Sequence, residues 1–321
     1  MNYKQLTEVE RYQIQAFLKA GYTKKKIAEE LGRHPSTIGR ELSRNTGLRG
    51  YRPQQAQRLA NERKQHHRHT QITDVTWGNV ETLLKQAWSP EQISQWLTLI
   101  GLPSVSPEWI YRYILADKEA GGDLSSYLRC QKKRKKRYGS VESRGQLKNR
   151  VSIDERPSIV DERKRVGDWE LDTVIGHRGG AVLVTAVERK TRFSVIAPAP
   201  NKTAESVKQS ILDALTPLAA WVKTLTYDNG KEFALHEDIA EALEAKGYFA
   251  HPYHSWERGL NENTNGLIRQ YVPKGTSMDD LTQFEVDSIM DSLNNRPRKC
   301  LGFRTPNQVL FGIDPPIALA S

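Results

Sequence analysis

The sequence predicts a multidomain protein, with an all-α front half and an α/β back half built on a mixed five-stranded sheet. Three observations predict this. Charge is uneven: residues 1–150 hold 28 Lys and Arg against 14 Asp and Glu, whereas residues 151–321 hold 20 against 24. Helix caps and apolar i, i+4 pairs dominate up to residue 118. β-rich runs separated by turns begin at Asp168.

The 321 residues, with a net charge of +10, suffice for several cores. A basic front half implies a polyanionic partner, most often nucleic acid. No apolar run approaches the ~18–20 residues of a membrane span, and the N-terminal residues lack a secretory apolar stretch. Two cysteines, Cys130 and Cys300, are too few for a disulfide framework or a thiolate zinc site. A cytoplasmic, nucleoid-associated location with no membrane partner is expected.

Residues 6–19 form the first expected helix, with Thr7 as N-cap and Glu10 three residues on. In "YTKKKIAEELGRHPSTIGRELSRN", Thr23 caps a short helix with Ile27 and Leu31 inward. Gly32 ends it, Pro35 opens the next, and Ile38 and Leu42 face inward again. Two short helices joined by a tight Gly-containing turn make a helix-turn-helix over residues 1–60. Its second helix would enter the major groove of double-stranded DNA, with Arg33, His34, Ser36, Thr37, Arg40 and Arg44 as candidate contacts.

Residues 61–74, polar and basic, read as a linker. The histidines His66, His67 and His69 lack a second ligand cluster and read as solvated rather than metal-binding. "WSPEQISQWL" and "SVSPEWIYRYILAD" each place a serine cap, Ser89 or Ser106, before a first-turn proline. With Ile93 and Leu97, then Ile110 and Ile114, they predict a second helix-turn-helix-like domain over 75–118. Its surface is less basic, so a purely structural or protein-contact role stands beside DNA reading. Residues 119–150 read as a basic linker in which Lys132, Lys133, Arg134, Lys135, Lys136 and Arg137 would follow DNA phosphates.

From Asp168, "DWELDTVIG", "AVLVTAVER" and "RFSVIAPA" predict three hairpin-linked strands. A helix over 203–221, a strand ending at Asp228, a helix ending at Gly247, a short strand at "YFAH" and a helix beginning near Ser255 follow. The order β-β-β-α-β-α-β-α, with a C-terminal helix, is that of a ribonuclease-H-like fold over 151–321. Asp168, Glu170 and Asp172 alternate along the first strand and share one face, and periodicity does not choose among them.

"GDWELDTVIG", "TYDNGKEF" and "HPYHSWERGLNENTNGLIRQYVPKGT" resemble the signature blocks of bacterial DDE transposases, in particular the insertion-sequence family numbered thirty. The resemblance covers most of the chain and is strongest over 166–275. It implies that Asp172, Asp228 and Glu262 are the catalytic and metal-binding acids. Thirty-three residues separate Asp228 from Glu262, as in that family. It also implies a multimer, a homodimer or larger, that pairs terminal inverted repeats and joins them to target DNA.

The chemistry agrees with those residue types. Phosphodiester cleavage needs charge stabilised on attacking and leaving oxygens, and two Mg²⁺ or Mn²⁺ ions held by carboxylates can supply it. Three acids without a nearby His or Cys set argue against zinc. On a helix, Arg258, Glu262, Asn265 and Arg269 share a face. Arg258, Asn265 and Arg269 are candidate DNA contacts, and Gly266 would admit a strand closely. Asn229 and Glu232 are candidate supports of the acids. His251 and His254 could contact DNA, pack or be solvated. Two other functions remain open: a DNA-binding regulator with a decayed catalytic domain, and a nuclease of the same fold without strand transfer.

Overall fold

Thr7 starts the first helix as expected. Its hydroxyl accepts from the Glu10 amide, and Glu10 accepts from the Thr7 amide at 2.6 Å. The computed structural model describes residues 5–69, 72–129, 147–177, 179–252 and 254–320, leaving out the side chains of 64–69, 255 and 256. The run Lys132–Arg137 and Cys130 lie outside the described residues, as do the side chains of His66, His67 and His69. The chain divides into two units, Met1–Asp74 and Val75–Ser321.

The first unit comprises α1 (Glu8–Lys19), α2 (Lys24–Glu30), α3 (Pro35–Asn45), a short hairpin of β1 (Thr46–Gly47) and β2 (Gly50–Tyr51), and α4 (Pro53–His69). Thr23 caps α2, and Gly32 follows its end at φ +60°, a conformation that a Cβ would strain. Ile14, Ile27, Ala28, Ile38 and Leu42 form the core between the helices. Each fully buried Ile or Leu contributes roughly 1.5–3 kcal/mol. A buried Arg11–Glu41 pair at 2.8 Å ties α1 to α3, and the Tyr51 hydroxyl donates to the same carboxylate.

The polar stretch expected as a linker from residue 61 is helical as far as His69. Its residues are good helix formers without an apolar stripe, so hydrophobic periodicity does not reveal it. Arg63 secures this half of α4 by donating to Asn45 on α3.

In the second unit, α5 (Asp74–Lys85), α6 (Pro90–Leu99) and α7 (Pro107–Glu119) precede α8 (Ile159–Glu162). Ser89 and Gln92 form a capping box, and Ser106 caps α7. Ile93, Leu97, Ile110 and Ile114 are buried. These helices are not a separate domain. Gln92 donates to the Pro297 carbonyl at 2.7 Å, Glu91 pairs with Lys299 at 2.6 Å, and Asn79 exchanges two hydrogen bonds with the Ala320 backbone.

The sheet consists of β3 (Asp168–Ile175), β4 (Val182–Glu188), β5 (Ser194–Ala199), β6 (Thr224–Tyr227) and β7 (Lys246–Phe249), in the order β5-β4-β3-β6-β7. β3–β4–β5 are antiparallel, while β6 and β7 run parallel to β3. With α9 (Ala204–Leu215), α10 (His236–Ala242), α11 (Gly259–Ile268), α12 (Gln283–Asn294) and α13 (Pro306–Leu310), this gives the expected ribonuclease-H-like order. Trp169 and Leu171 of β3 pack into the core that includes Val207 and Ile211 of α9. Val174 packs into the core that includes Leu267 and Ile268 of α11 and Ile289 of α12.

The helix expected to end at Gly247 stops earlier. α10 closes at Leu243, Glu244 takes φ +50°, and Gly247 lies within β7. A Cβ on Gly247 would lie 3.1 Å from the Tyr227 ring, so this glycine serves strand packing rather than a helix end. The helix expected over 203–221 likewise turns into a 3₁₀ segment, Thr216–Trp221, at Pro217.

One ion pair in the first unit makes its stability pH-dependent. The Arg33 guanidinium donates to Glu10 at 2.7 Å and, together with the Thr7 cap, holds that carboxyl down at about 2. A depressed carboxyl stabilises the fold above its unfolded value of 4.5 and loses that contribution as pH falls through about 2. Glu10→Gln should therefore cost about 1 kcal/mol at pH 7. Its melting curve by circular dichroism should merge with that of wild type towards pH 2.

Candidate active site

The register of two parallel strands builds the site. Glu170 of β3 is paired with Thr226 of β6. Two residues further along each chain, Asp172 within β3 and Asp228 just past the carboxyl end of β6 therefore come level; the carboxyl ends of parallel strands are where open α/β sheets place their ligands.

The structure also separates the three acids of β3. Asp168 is fully buried and held by Arg165 through two hydrogen bonds of 2.9 Å and by the Thr224 hydroxyl at 2.8 Å. Glu170 is fully buried against Arg189 at 2.5 Å, and burial still pushes its carboxyl upward. Asp172 remains partly exposed, with 21% of its side chain accessible. Burial raises its pKa, Arg258 opposes that shift, and Asp228 adds to it. The Thr173 amide and the Asn265 side chain donate to its two oxygens at 2.8 and 3.0 Å.

Asp228 accepts from the Gly230 amide at 2.8 Å, which fixes the turn after β6. Arg258 lies between the two aspartates. One terminal nitrogen is 3.6 Å from an Asp172 oxygen, the other is 3.5 Å from an Asp228 oxygen, and the guanidinium also donates to the Leu171 carbonyl. Glu262 is exposed in the first turn of α11 and has no hydrogen bond or ion pair among the described residues. The structure thus places Asp172 and Asp228 on either side of Arg258, and the three acids Asp172, Asp228 and Glu262 do not all lie within 4.8 Å of one another.

Several expected DNA contacts have protein partners instead. Arg258 faces the acids, and Asn265 holds Asp172 and also lies 3.3 Å from the Thr185 hydroxyl. Arg269 donates to the carbonyls of Ile175 and Val272, bracing the end of β3 against α11. The group close to Gly266 is the Arg129 guanidinium, 2.9 Å from where a Cβ would stand. Asn229 bridges Arg150 and the Ala250 carbonyl. Glu232 is buried, pairs with Lys202 at 2.7 Å and accepts from Thr173. It folds back so tightly that a side chain at Gly230 would meet its carboxylate.

His251 and His254, whose roles the sequence leaves open, gather with Glu257 in the chain just before α11. Donor atoms of His251, His254 and Glu257 lie within 4.8 Å of one another, the one such group of three among the described residues. Both His251 ring nitrogens face carboxylates, Glu257 at 2.8 Å and Asp154 at 2.9 Å, so both donate only in the protonated ring. These bonds raise its pKa, Glu257 contributing most. The arrangement reads as a charged tie across the chain leading into α11. Sequence spacing hinted at it only through the i, i+3, i+6 positions.

Known proteins share this organisation. Residues 2–45 match a family described as a helix-turn-helix domain. The transposase for insertion sequence element IS4351 of Bacteroides fragilis is 46% identical over 95% of this chain and 95% of its own. Transposase InsI for insertion sequence element IS30A of Escherichia coli K12 is 37% identical over 95% of this chain and 83% of its own. The chain is a DDE transposase of the IS30 family. Among solved structures, the catalytic core domain of BIV integrase is similar at 23% identity and a TM-score of 0.36, covering 46% of this chain and 95% of that one.

The transposase is thus a DNA-acting polynucleotidyl transferase. Among its described residues no helix is long and apolar enough to cross a membrane. In its helix-turn-helix, Arg33 is engaged by Glu10, while His34 caps α3 by accepting from the Ser36 amide. The Ser36 hydroxyl lies 2.8 Å from the same ring. Thr37 is half-buried; Arg40 and Arg44 are exposed and have no side-chain partner among the described residues.

The division among the strand acids is testable by stability. Asp168→Asn breaks a buried pair from one side and should cost about 3 kcal/mol, the low end for such a loss because Arg165 keeps access to water. Asp172→Asn relieves a carboxylate already disfavoured by burial and should cost about 1 kcal/mol or less. Urea unfolding of the two variants, followed by tryptophan fluorescence, checks the order.

Proposed function

We propose that Asp172, Asp228 and Glu262 hold the divalent cations, two Mg²⁺ or Mn²⁺, on which cleavage and strand transfer by this transposase depend. The helix-turn-helix would recognise the terminal inverted repeats of its element, with the transposase acting as a homodimer or larger assembly that brings two ends together. The carrying observation is that two aspartates, level on parallel strands, share a single guanidinium. A cation already stands where the proposal needs one. The donors facing it are carboxylate oxygens, the hard ligands that Mg²⁺ prefers.

When bound, such ions stabilise charge on the attacking and leaving oxygens and lower the pKa of the attacking hydroxyl. The chain's own residues do the positioning. Thr173 and Asn265 orient Asp172, the Gly230 amide orients Asp228, and Arg269 fixes α11 against β3. Glu262, exposed and unengaged among the described residues, is the acid free to complete the set. Arg40 and Arg44 are the α3 residues best suited to read DNA, and Thr37 can support them. The run Lys132–Arg137 would add contacts to phosphates without sequence preference.

The test uses the full-length transposase with DNA carrying its flanking inverted repeats and Mg²⁺, mapping nicked and joined strands. Asp172→Asn, Asp228→Asn and Glu262→Gln should each lower nicking and joining by several orders of magnitude while leaving repeat binding nearly intact. Arg40→Ala and Arg44→Ala should weaken repeat binding by about 1–3 kcal/mol at matched salt. Wild-type joining by Glu262→Gln would remove that residue from the site.

A further inference from the structure

The acid pair is not merely waiting for metal, because it already holds a cation of its own. Arg258 spans Asp172 and Asp228 at 3.6 and 3.5 Å, with only 13% of its side chain accessible. The Leu171 carbonyl accepts from the same terminal nitrogen that faces Asp172, which fixes the direction of the fork. Other acids of this region have different cations: Asp168 has Arg165, Glu170 has Arg189, which also reaches Asp161, and Glu232 has Lys202. Asp172 and Asp228 share Arg258.

The geometry points to Arg258 as a resident counter-ion that holds the acid pair in register without metal and competes directly with the divalent cations for the same oxygens. This rests on the reading of Asp172 and Asp228 as metal ligands. Arg258 places a positive charge between two partly buried carboxylates that would otherwise repel each other. With Arg258 in place, a metal ion must displace the guanidinium before it gains both carboxylates. Arg258 immediately precedes α11, so this exchange is felt at the helix that carries Glu262. The displaced guanidinium, still beside the site, is then available to the phosphate of bound DNA. Metal loading and DNA engagement would thus be linked through one side chain.

The test is Mn²⁺ binding to the full chain without DNA, followed by electron paramagnetic resonance, for wild type, Arg258→Gln, Arg258→Lys and Asp228→Asn. Arg258→Gln should bind Mn²⁺ about tenfold more tightly than wild type, the factor that ~1.4 kcal/mol represents. Its metal-free melting temperature should fall, and Mn²⁺ should restore more of it than in wild type. Arg258→Lys keeps a charge without the two-pronged reach and should lie between the two. In wild type, the Arg258 side-chain NMR signal, assigned by its absence in Arg258→Lys, should shift on adding Mg²⁺ but not on adding NaCl of equal ionic strength. That measurement holds even if Arg258→Gln fails to fold.

Unchanged or weaker Mn²⁺ binding by Arg258→Gln, with Asp228→Asn still losing it, would overturn the competition while leaving the metal site standing. Reduced DNA affinity with unaltered Mn²⁺ affinity would likewise overturn it and make Arg258 a phosphate contact only. Wild-type Mn²⁺ binding that Asp228→Asn does not reduce would overturn the metal site itself, and the inference with it.

Discussion

The parallel pairing of β3 with β6 is the constraint on which the rest of the site depends. It sets Asp172 and Asp228 level at the carboxyl end of β6 and creates the electrostatic problem that the surrounding residues address. Opposite unit charges about 4 Å apart near a protein surface attract by about 4 kcal/mol, whereas fully exposed pairs yield a net ~0.2–1 kcal/mol. The aspartates, with 21% and 17% of their side chains accessible, lie between these limits. The repulsion between them therefore depends strongly on the cation that stands between them. Deeper in the strand no such freedom remains. Asp168 and Glu170 are closed off by Arg165 and Arg189, and Asp161 and Arg156 extend the network behind Arg189.

That contrast explains what could be read from the sequence and what could not. Caps and strand order depend on local rules, so Thr7–Glu10, Thr23, Ser89–Gln92 and Ser106 all behave as their spacing suggests. Alternation placed Asp168, Glu170 and Asp172 on one face, but only tertiary partners tell them apart, and those partners lie up to 93 residues away, as Asn265 does from Asp172. The continuation of α4 to His69 had no apolar periodicity to announce it. Gly247 imitated a helix end because a strand glycine facing an aromatic ring looks the same in sequence. The helices over 75–118 look independent until Gln92, Glu91 and Asn79 are seen joined to the C-terminal segment.

Arginine was the residue most easily misjudged. A basic front half is real, but a count of positive charges assigns to nucleic acid side chains that the fold itself uses. Arg11 and Arg33 brace the helix-turn-helix from within. Arg258 and Arg269 secure the site rather than project from it. Arg296, almost fully buried, donates to Gln270 and the Tyr271 hydroxyl. The guanidinium suits these roles because its fixed fork satisfies several acceptors at once and its charge is not lost on burial. Arg40 and Arg44, exposed and without a side-chain partner among the described residues, differ from these structural cations in a way that composition does not reveal.

The same reasoning accounts for the composition of α11, which is short of good helix formers yet helical from Gly259 to Ile268. Asn261 and Thr264 are buried, where a longer side chain at either position would have to displace its neighbours. Asn265 must supply an amide donor to Asp172 without adding a charge that would compete with a cation. Gly266 leaves room for the Arg129 guanidinium, which any side chain would crowd. Leu267 and Ile268 fasten the helix to the sheet through apolar contact alone. With helix propensity weak, the position of α11 is set mainly by that contact and by the polar bonds at its two ends, from Arg258 to the aspartates and from Arg269 to the Ile175 carbonyl. A helix held in this way can respond at its first turn, where Glu262 sits, when the charge between Asp172 and Asp228 is exchanged, while its apolar side stays in place.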